Sequence, residues 1–317
     1  MIGQLGVSSN TICAHPVMRQ MLLDAWPDAR LWDGERITDE DVLIEHLSGC
    51  DAAIVGFEPL TDRVLAALPD LKVVSKFGAG CETIDFDALK AHGVRFGYTF
   101  GVNRLAVAEL AISFMIAGLR YVTPLNQSMR AGERPRNKNG LLLTGRTVGI
   151  HGCGNIGKEL VRLLKPFDCK IIACDVRDYP GFYADNGIEA VSFDDLLERS
   201  EVLTLHLPKT RSTRGLYSRE VLERLPADTL LINTCRGEIV DEDALADRLE
   251  SGALKAACFD VFGIEPAEND RLLNLPNFLA TPHIGASAEE TRVAMAQAAL
   301  NGLVENELVE PEKYYEN

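Results

Sequence analysis

One of the six histidines stands apart by its setting. In "ATPHIGAS", residues 280–287, His283 follows Pro282 and precedes Gly285 by two, just after the strand-like run "NFLA". A proline and a glycine fix the backbone of such a turn, so the ring is held in place. An imidazole, with an ordinary pKa near ~6.5, gives or takes a proton at neutral pH. Two more polar side chains follow strand-like runs: Arg236, with Gly237, follows "TLLIN", and Glu265 follows "AACFDVF". An arginine holds a carboxylate bidentately and polarises an adjacent carbonyl. A glutamate on one ring nitrogen of a histidine favours the imidazolium. Singly, each has an ordinary reading: a turn cap, a loop charge, a satisfied loop histidine. Jointly they place Arg236, Glu265 and His283 on three successive strand ends, facing one crevice. Proton transfer beside hydride transfer is the chemistry such a set supports.

The partner for a hydride is legible upstream. "VGIHGCGNIGKEL" places Gly152, Gly154 and Gly157 in G-x-G-x-x-G spacing, after a strand-like "TVGI" and before a helical "IGKELVRLLKPF". The first glycine allows a tight turn, the second admits a pyrophosphate, and the third lets helix pack on strand. The helix N-terminus, with Asn155 and Ile156, offers N–H donors to the phosphates. Asp175 ends the next strand, 18 residues after Gly157. A carboxylate there accepts from both ribose hydroxyls of NAD and repels the 2′-phosphate of NADP. Arg177, close by, blurs that preference. NAD is therefore the expected cofactor.

These residues need a scaffold of strands and helices in alternation. "QLGVSS", "ARLWD", "DAAIVGF", "LKVVSKFG" and "VRFGY" read as buried strands, with helices at "DEDVLIEHLSG", "TDRVLAALP" and "DFDALKAHG" between the later ones. A second series starts at "RTVGIHGCGNIG" and runs through "KIIACD", "VLTLHLP", "TLLINTC", "LKAACFDVF" and "NFLATPH". Such alternation predicts α/β architecture with parallel sheets. Two doubly wound domains are expected, one over 1–100 plus 286–317 and one over 101–285, the final helix at 287–305 folding back onto the first. Between them, 103–122 reads as a helix apolar on most sides, hence buried, including against a second subunit. Residues 130–140, "RAGERPRNKNG", read as a polar loop.

Composition narrows the setting. A formal charge of -15 disfavours nucleic acid and anionic membrane as partners. No run of 18 apolar residues occurs, and the start lacks the regions of a secretory signal, so a cytoplasmic protein is expected. Eight scattered cysteines without a C-x-x-C pair predict reduced, mostly buried thiols and no metal site.

Over essentially its whole length the chain resembles the D-isomer-specific 2-hydroxyacid dehydrogenases. The carriers are "KFGAGCETIDFDAL", "VNRLAVAELA", "GRTVGIHGCGNIGKEL", "LHLPKTRSTRGL", "NTCRGEIVDEDALADRLESGAL", "FDVFGIEP" and "TPHIGAS". The resemblance implies a flavodoxin-like lid or substrate domain, a Rossmann NAD-binding domain, and a homodimer through the latter. It assigns Arg236 to the substrate carboxylate and carbonyl, His283 to acid/base work, and Glu265 to support of His283. By the same carry-over the Gly78-Ala79-Gly80 amides bind the carboxylate. Thr234, Cys235 and Asp260 line the nicotinamide, with Asp260 near its carboxamide, and Pro208 touches the adenosine half. The first half is most similar to short phosphoglycerate dehydrogenases, notably "GFEPLTDRVLAALPDLKVVSKFGAG". The chain ends soon after the final helix, so the regulatory C-terminal domain of some members is expected to be missing. Lys76 stands where arginine is commoner, and the stretch before "LTGRTVGI" lacks a tryptophan often found there. Lys76 and Arg104 could together read a second anion, a phosphate or phosphonate, on a small 2-hydroxy or 2-oxo acid. Two alternatives stay open: a phosphite-type dehydrogenase, and an NAD-sensing, corepressor-like binding protein.

Overall fold

The computed structural model describes residues 3–135 and 139–315. Part of the polar stretch 130–140 thus lies outside the described residues. In chain order the strands are β1 Leu5–Val7, β2 Arg30–Leu31, β3 Ala52–Val55, β4 Val73–Lys76, β5 Arg95–Gly97, β6 Thr147–His151, β7 Lys170–Cys174, β8 Glu189–Ala190, β9 Val202–Leu205, β10 Leu230–Asn233, β11 Ala256–Phe259, β12 Phe278–Ala280 and β13 Glu307–Leu308. They form two sheets in two compact units, one of residues 1–103 with 287–317 and one of 104–286.

The first unit's sheet runs β2-β1-β3-β4-β5, the flavodoxin-like order, all parallel. β13 adds an antiparallel edge beside β5, which the alternation of strands and helices does not announce. Short polar side chains start its helices: Asp39, Thr61 and Asp85 cap Glu40–Leu47, Asp62–Ala67 and Phe86–Ala91. The helix Glu289–Gly302 returns onto β4 and β5. Glycine makes that approach possible, since a Cβ on Gly97 would lie 2.1 Å from the Gly302 carbonyl oxygen.

The second unit's sheet runs β8-β7-β6-β9-β10-β11-β12, again all parallel. This is the Rossmann order with a seventh strand, and its order reverses between β6 and β9. Alternate residues of β9, β10 and β11 enter two separate cores: Leu203, Leu231 and Ala257 on one face, Val202, Ile232 and Cys258 on the other. Strands buried on both faces explain their near-continuous apolar sequence.

The expected helix 103–122 is Arg104–Leu119, and a further helix, Val122–Arg130, follows it across a bend of 64°. Tyr121, in the left-handed region at φ 53°, makes the break. The first helix packs on β10, β11 and the helix Asn155–Leu164. No single helix among the described residues is long and apolar enough to cross a membrane. All eight cysteines are free; five are buried and Cys81, Cys169 and Cys174 are half-buried.

Candidate active site

The three turn glycines of the second unit do three separate jobs. Gly152 has φ 94°, and a Cβ on it would lie 2.4 Å from the His206 carbonyl oxygen at the end of β9. A Cβ on Gly157 would lie 2.4 Å from the Gly152 oxygen. Around Gly154, the N-cap of Asn155–Leu164, a Cβ would meet nothing within 4 Å. The first and third glycines close the turn, and the second leaves room before the helix N-terminus for a pyrophosphate. Asn155 opens that helix exposed, and Ile156 is half-buried behind it. Asp175 is tied to the same turn: its carboxylate accepts from Cys153 N at 2.5 Å and Arg177 N at 2.8 Å.

Around this crevice lie buried polar atoms without a protein partner. Thr234 Oγ1, just past β10, and His206 Nδ1, just past β9, are two of them. Such atoms call for a ligand or water, and a dinucleotide supplies hydroxyl and amide groups. Burial holds the His206 imidazole down at about 3 and that of His151, which ends β6, at about 4. Both rings are therefore neutral in working conditions. His151 Nδ1 and the Tyr217 hydroxyl form a 2.7 Å hydrogen bond. Cys235 is buried, and burial raises its thiol. Pro208 is exposed, its carbonyl accepting from Thr213 Oγ1 at 2.6 Å.

Arg236, Glu265 and His283 sit beyond the carboxyl ends of β10, β11 and β12. His283 Nδ1 and Glu265 Oε2 are 2.6 Å apart. A carboxylate only accepts, so the assigned tautomer carries its proton on Nδ1 and leaves Nε2 for chemistry. Glu265 Oε1 accepts from Phe262 N at 3.1 Å. Arg236 donates from Nη1 to the Cys235 carbonyl at 2.7 Å. Its loop is shaped by Asn233, fully buried, whose Oδ1 accepts from Cys235 N at 3.0 Å while its Nδ2 donates to the Arg236 carbonyl at 2.9 Å. The sequence reading missed Asn233, although an Asn two residues before a loop residue is a known turn signal.

What holds His283 differs from the expectation. Its own φ is 54°, a left-handed conformation uncommon outside glycine. Asp260 enforces it. The Asp260 carbonyl accepts from His283 N at 2.8 Å. Its carboxylate accepts from Thr281 Oγ1 at 2.5 Å, Ile284 N at 2.8 Å and Gly285 N at 2.7 Å. A Cβ on Gly285 would sit 3.0 Å from that carboxylate. Asp260, expected near the nicotinamide carboxamide, is 1% exposed, and its carboxylate is engaged by the His283 loop.

The first unit gathers its own polar side chains at the carboxyl ends of β1, β3 and β4. Glu58 is buried, its Oε2 accepting from Gly56 N at 2.5 Å and Ser8 Oγ at 3.1 Å. Lys76 is 2% exposed. Its Nζ donates to the Phe77 carbonyl at 2.6 Å and lies 4.8 Å from the Phe57 ring centroid. Gly78 has φ 98°, and a Cβ there would come within 3.4 Å of Lys76 Nζ. Ala79 accepts at its carbonyl from the Tyr98 hydroxyl at 2.7 Å, and Gly80 is buried. Arg104, in the second unit, pairs with Glu159 at 3.3 Å.

A Rossmann sheet with a glycine turn, and an Arg–Glu–His set on its strand ends, define a nicotinamide-dependent oxidoreductase architecture. The chain belongs to the D-isomer specific 2-hydroxyacid dehydrogenase family, whose NAD binding domain matches residues 112–285. It is 37% identical over 256 residues to D-3-phosphoglycerate dehydrogenase of Mycobacterium leprae, covering 80% of this chain and 48% of that protein. The chain thus spans about half the length of that relative. It is 34% identical over 259 residues to hydroxypyruvate reductase of Thermotoga maritima, covering 80% of this chain and 84% of that one. In structure it is similar to a glyoxylate reductase from Paecilomyes thermophila, with TM-score 0.84, 28% identity and coverage of 95% and 94%. These relatives do not favour the phosphite-type or corepressor-like alternatives.

Proposed function

We propose that the protein is an NAD-dependent reductase of a small 2-oxo acid, equivalently a dehydrogenase of the D-2-hydroxy acid. The observation that carries the reading is the His283–Glu265 pair, 2.6 Å apart, on strand ends beside the glycine turn. NAD(H), when bound, supplies or takes the hydride at C2. Arg236 holds the substrate carboxylate and polarises the C2 carbonyl. His283 Nε2 gives its proton to the C2 oxygen in reduction and takes it back in oxidation, while Glu265 stabilises the imidazolium. Asp260 and Asn233 hold the two loops in that geometry. The glycine turn, Asp175, Thr234, Cys235 and Pro208 form the cofactor site, the Asp175 carboxylate favouring NAD.

The Gly78-Ala79-Gly80 amides take the carboxylate, since glycine lets backbone approach an anion. Lys76, buried beneath that loop, strengthens the same cradle for the first anion. Arg104 serves the unit that holds it. Free thiols fit a reducing, cytoplasmic compartment.

The test is a panel of glyoxylate, pyruvate, hydroxypyruvate, 3-phosphohydroxypyruvate and phosphonopyruvate with NADH. His283→Ala should lower kcat by roughly 10²–10⁴-fold with NADH affinity nearly unchanged. Lys76→Met should weaken kcat/KM for mono- and dianionic acids alike. Wild-type kcat in His283→Ala would sink the acid/base role. A loss confined to dianionic substrates would return Lys76 to a second-anion site.

A further inference from the structure

Glu265 rides on a thinly anchored segment. Among the described residues, the backbone of Gly263–Ala267 makes one hydrogen bond: Gly263 N donates to Glu242 Oε1 at 2.7 Å. Ile264 beside it is 61% exposed, so apolar burial does not fix the segment there. On its inner side the segment meets a steric stop. A Cβ on Gly237, next to Arg236, would lie 1.8 Å from the Phe262 carbonyl carbon and 2.3 Å from Gly263 N. The Arg236 loop and the Glu265 loop therefore touch backbone to backbone, with Glu242 as the polar tether across the contact.

Glu242 begins the helix Glu242–Glu250, capped by Asp241, whose carboxylate accepts from Ala244 N at 2.9 Å. The charged groups lining the cleft around it are Asp241, Asp243 and Glu268, with Asn269 the neutral polar member. None is a cation, so no salt bridge within that cleft accounts for Glu242. Burial raises its carboxyl, an effect the Gly263 N–H opposes and Asp243 reinforces. A partly desolvated carboxylate placed on one loop N–H is a positioning device.

We propose that Glu242 is a positioning residue for the proton-transfer pair: by fixing Gly263 it sets Glu265 at hydrogen-bond distance from His283 Nδ1. The kinetic part rests on the reductase reading above. The order of effects is Glu242 on Gly263, Gly263 on Glu265, Glu265 on the imidazolium. Substrate and cofactor contacts do not pass through it.

The experiment compares wild type with Glu242→Gln and Glu242→Leu in the full chain. Glutamine keeps a carbonyl oxygen for Gly263 N–H, whereas leucine removes the acceptor at similar volume. Glu242→Leu should lower kcat roughly 10-fold with little change in KM. It should also move the alkaline limb of the reductase pH profile to lower pH, because a loosened Glu265 stabilises the imidazolium less. Glu242→Gln should stay near wild type in both. A second readout needs no turnover: the downfield Nδ1 proton resonance of His283 should be lost in Glu242→Leu and kept in Glu242→Gln, with NADH affinity unchanged. Should Glu242→Leu fail to fold, Glu242→Asp, with a shorter arm, carries the leucine expectation. Retention of resonance and profile in Glu242→Leu, or an equal loss in Glu242→Gln, overturns the proposal. If wild type reduces no 2-oxo acid, the reductase reading fails while the resonance still decides Glu242.

Discussion

A histidine in a left-handed turn would be strained if left to itself, and Asp260 supplies what holds it. The chemistry proposed for His283 therefore depends on a residue with no proton to move. His151 illustrates another use of burial. It directly precedes the Gly152 turn, and its ring is kept neutral down to about 4. An unfolded chain protonates this side chain near ~6.5. The site's contribution to stability is thus complete above that pH and is lost as pH falls from ~6.5 through about 4. The loss amounts to about 3 kcal/mol at most. Replacing His151 by Gln removes the titration while keeping a partner for the Tyr217 hydroxyl. Denaturant unfolding at pH 7 and 4.5 should show a smaller acid loss in His151→Gln than in wild type. Equal losses would mean that His151 titrates freely. Arg236, Glu265, His283 and the glycines could be picked out as candidates because their types and spacing fit the chemistry proposed, and the structure places the first three beyond successive strand ends. Asn233, Glu242 and the clamp role of Asp260 could not be picked out. Asn233 acts within its own loop, where one Asn among several polar residues carries little signal, whereas Glu242 and Asp260 bind groups of other loops that only the fold brings near.

At the level of elements, strands buried on both faces announce themselves as apolar runs, which is why the two series of β/α units could be read. Helix Val122–Arg130 could not. It buries no side chain, so it shows no core-facing apolar stripe. The short antiparallel β13, with both residues exposed, leaves as little pattern. The junctions between elements make a sharper claim. Ala at Gly154 meets open space, whereas Ala at Gly152, Gly157 or Gly237 would meet backbone within 2.4 Å. Gly154→Ala should therefore keep wild-type thermal stability yet bind NADH more weakly, because its Cβ occupies the pyrophosphate approach. Gly237→Ala should lose stability by a few kcal/mol, at about the scale of strained core changes, and lose turnover with it. Thermal melts with and without NADH separate the two. Equal melting points and equal NADH shifts across wild type and both variants would refute this account of the turn and the loop contact.

On the scale of the whole molecule, the apolar surface of the second unit remains to be explained. Leu105 and Ile116 project outward from Arg104–Leu119, whose Ala108, Ala111, Met115 and Leu119 fill the core. Eleven residues separate the two exposed side chains, three helical turns, so they share one face. Val122 and Met129 follow on the next helix and Leu142 beyond it, each at least half exposed. A cluster of large apolar side chains on one segment marks an interaction surface, and a chain of formal charge -15 resists nonspecific association through self-repulsion. We propose a two-fold homodimer through this segment, because an isologous contact uses the same patch twice. A stable contact of this kind needs roughly 800 Å² from each partner, within reach of two helices. Light scattering at micromolar concentration should give twice the chain mass for wild type. Ile116→Asp combined with Met129→Asp should give the chain mass and retain NADH binding, since neither residue belongs to the glycine turn. A monomeric wild type would remove the dimer. A dimer unaffected by both substitutions would move its interface elsewhere on the molecule.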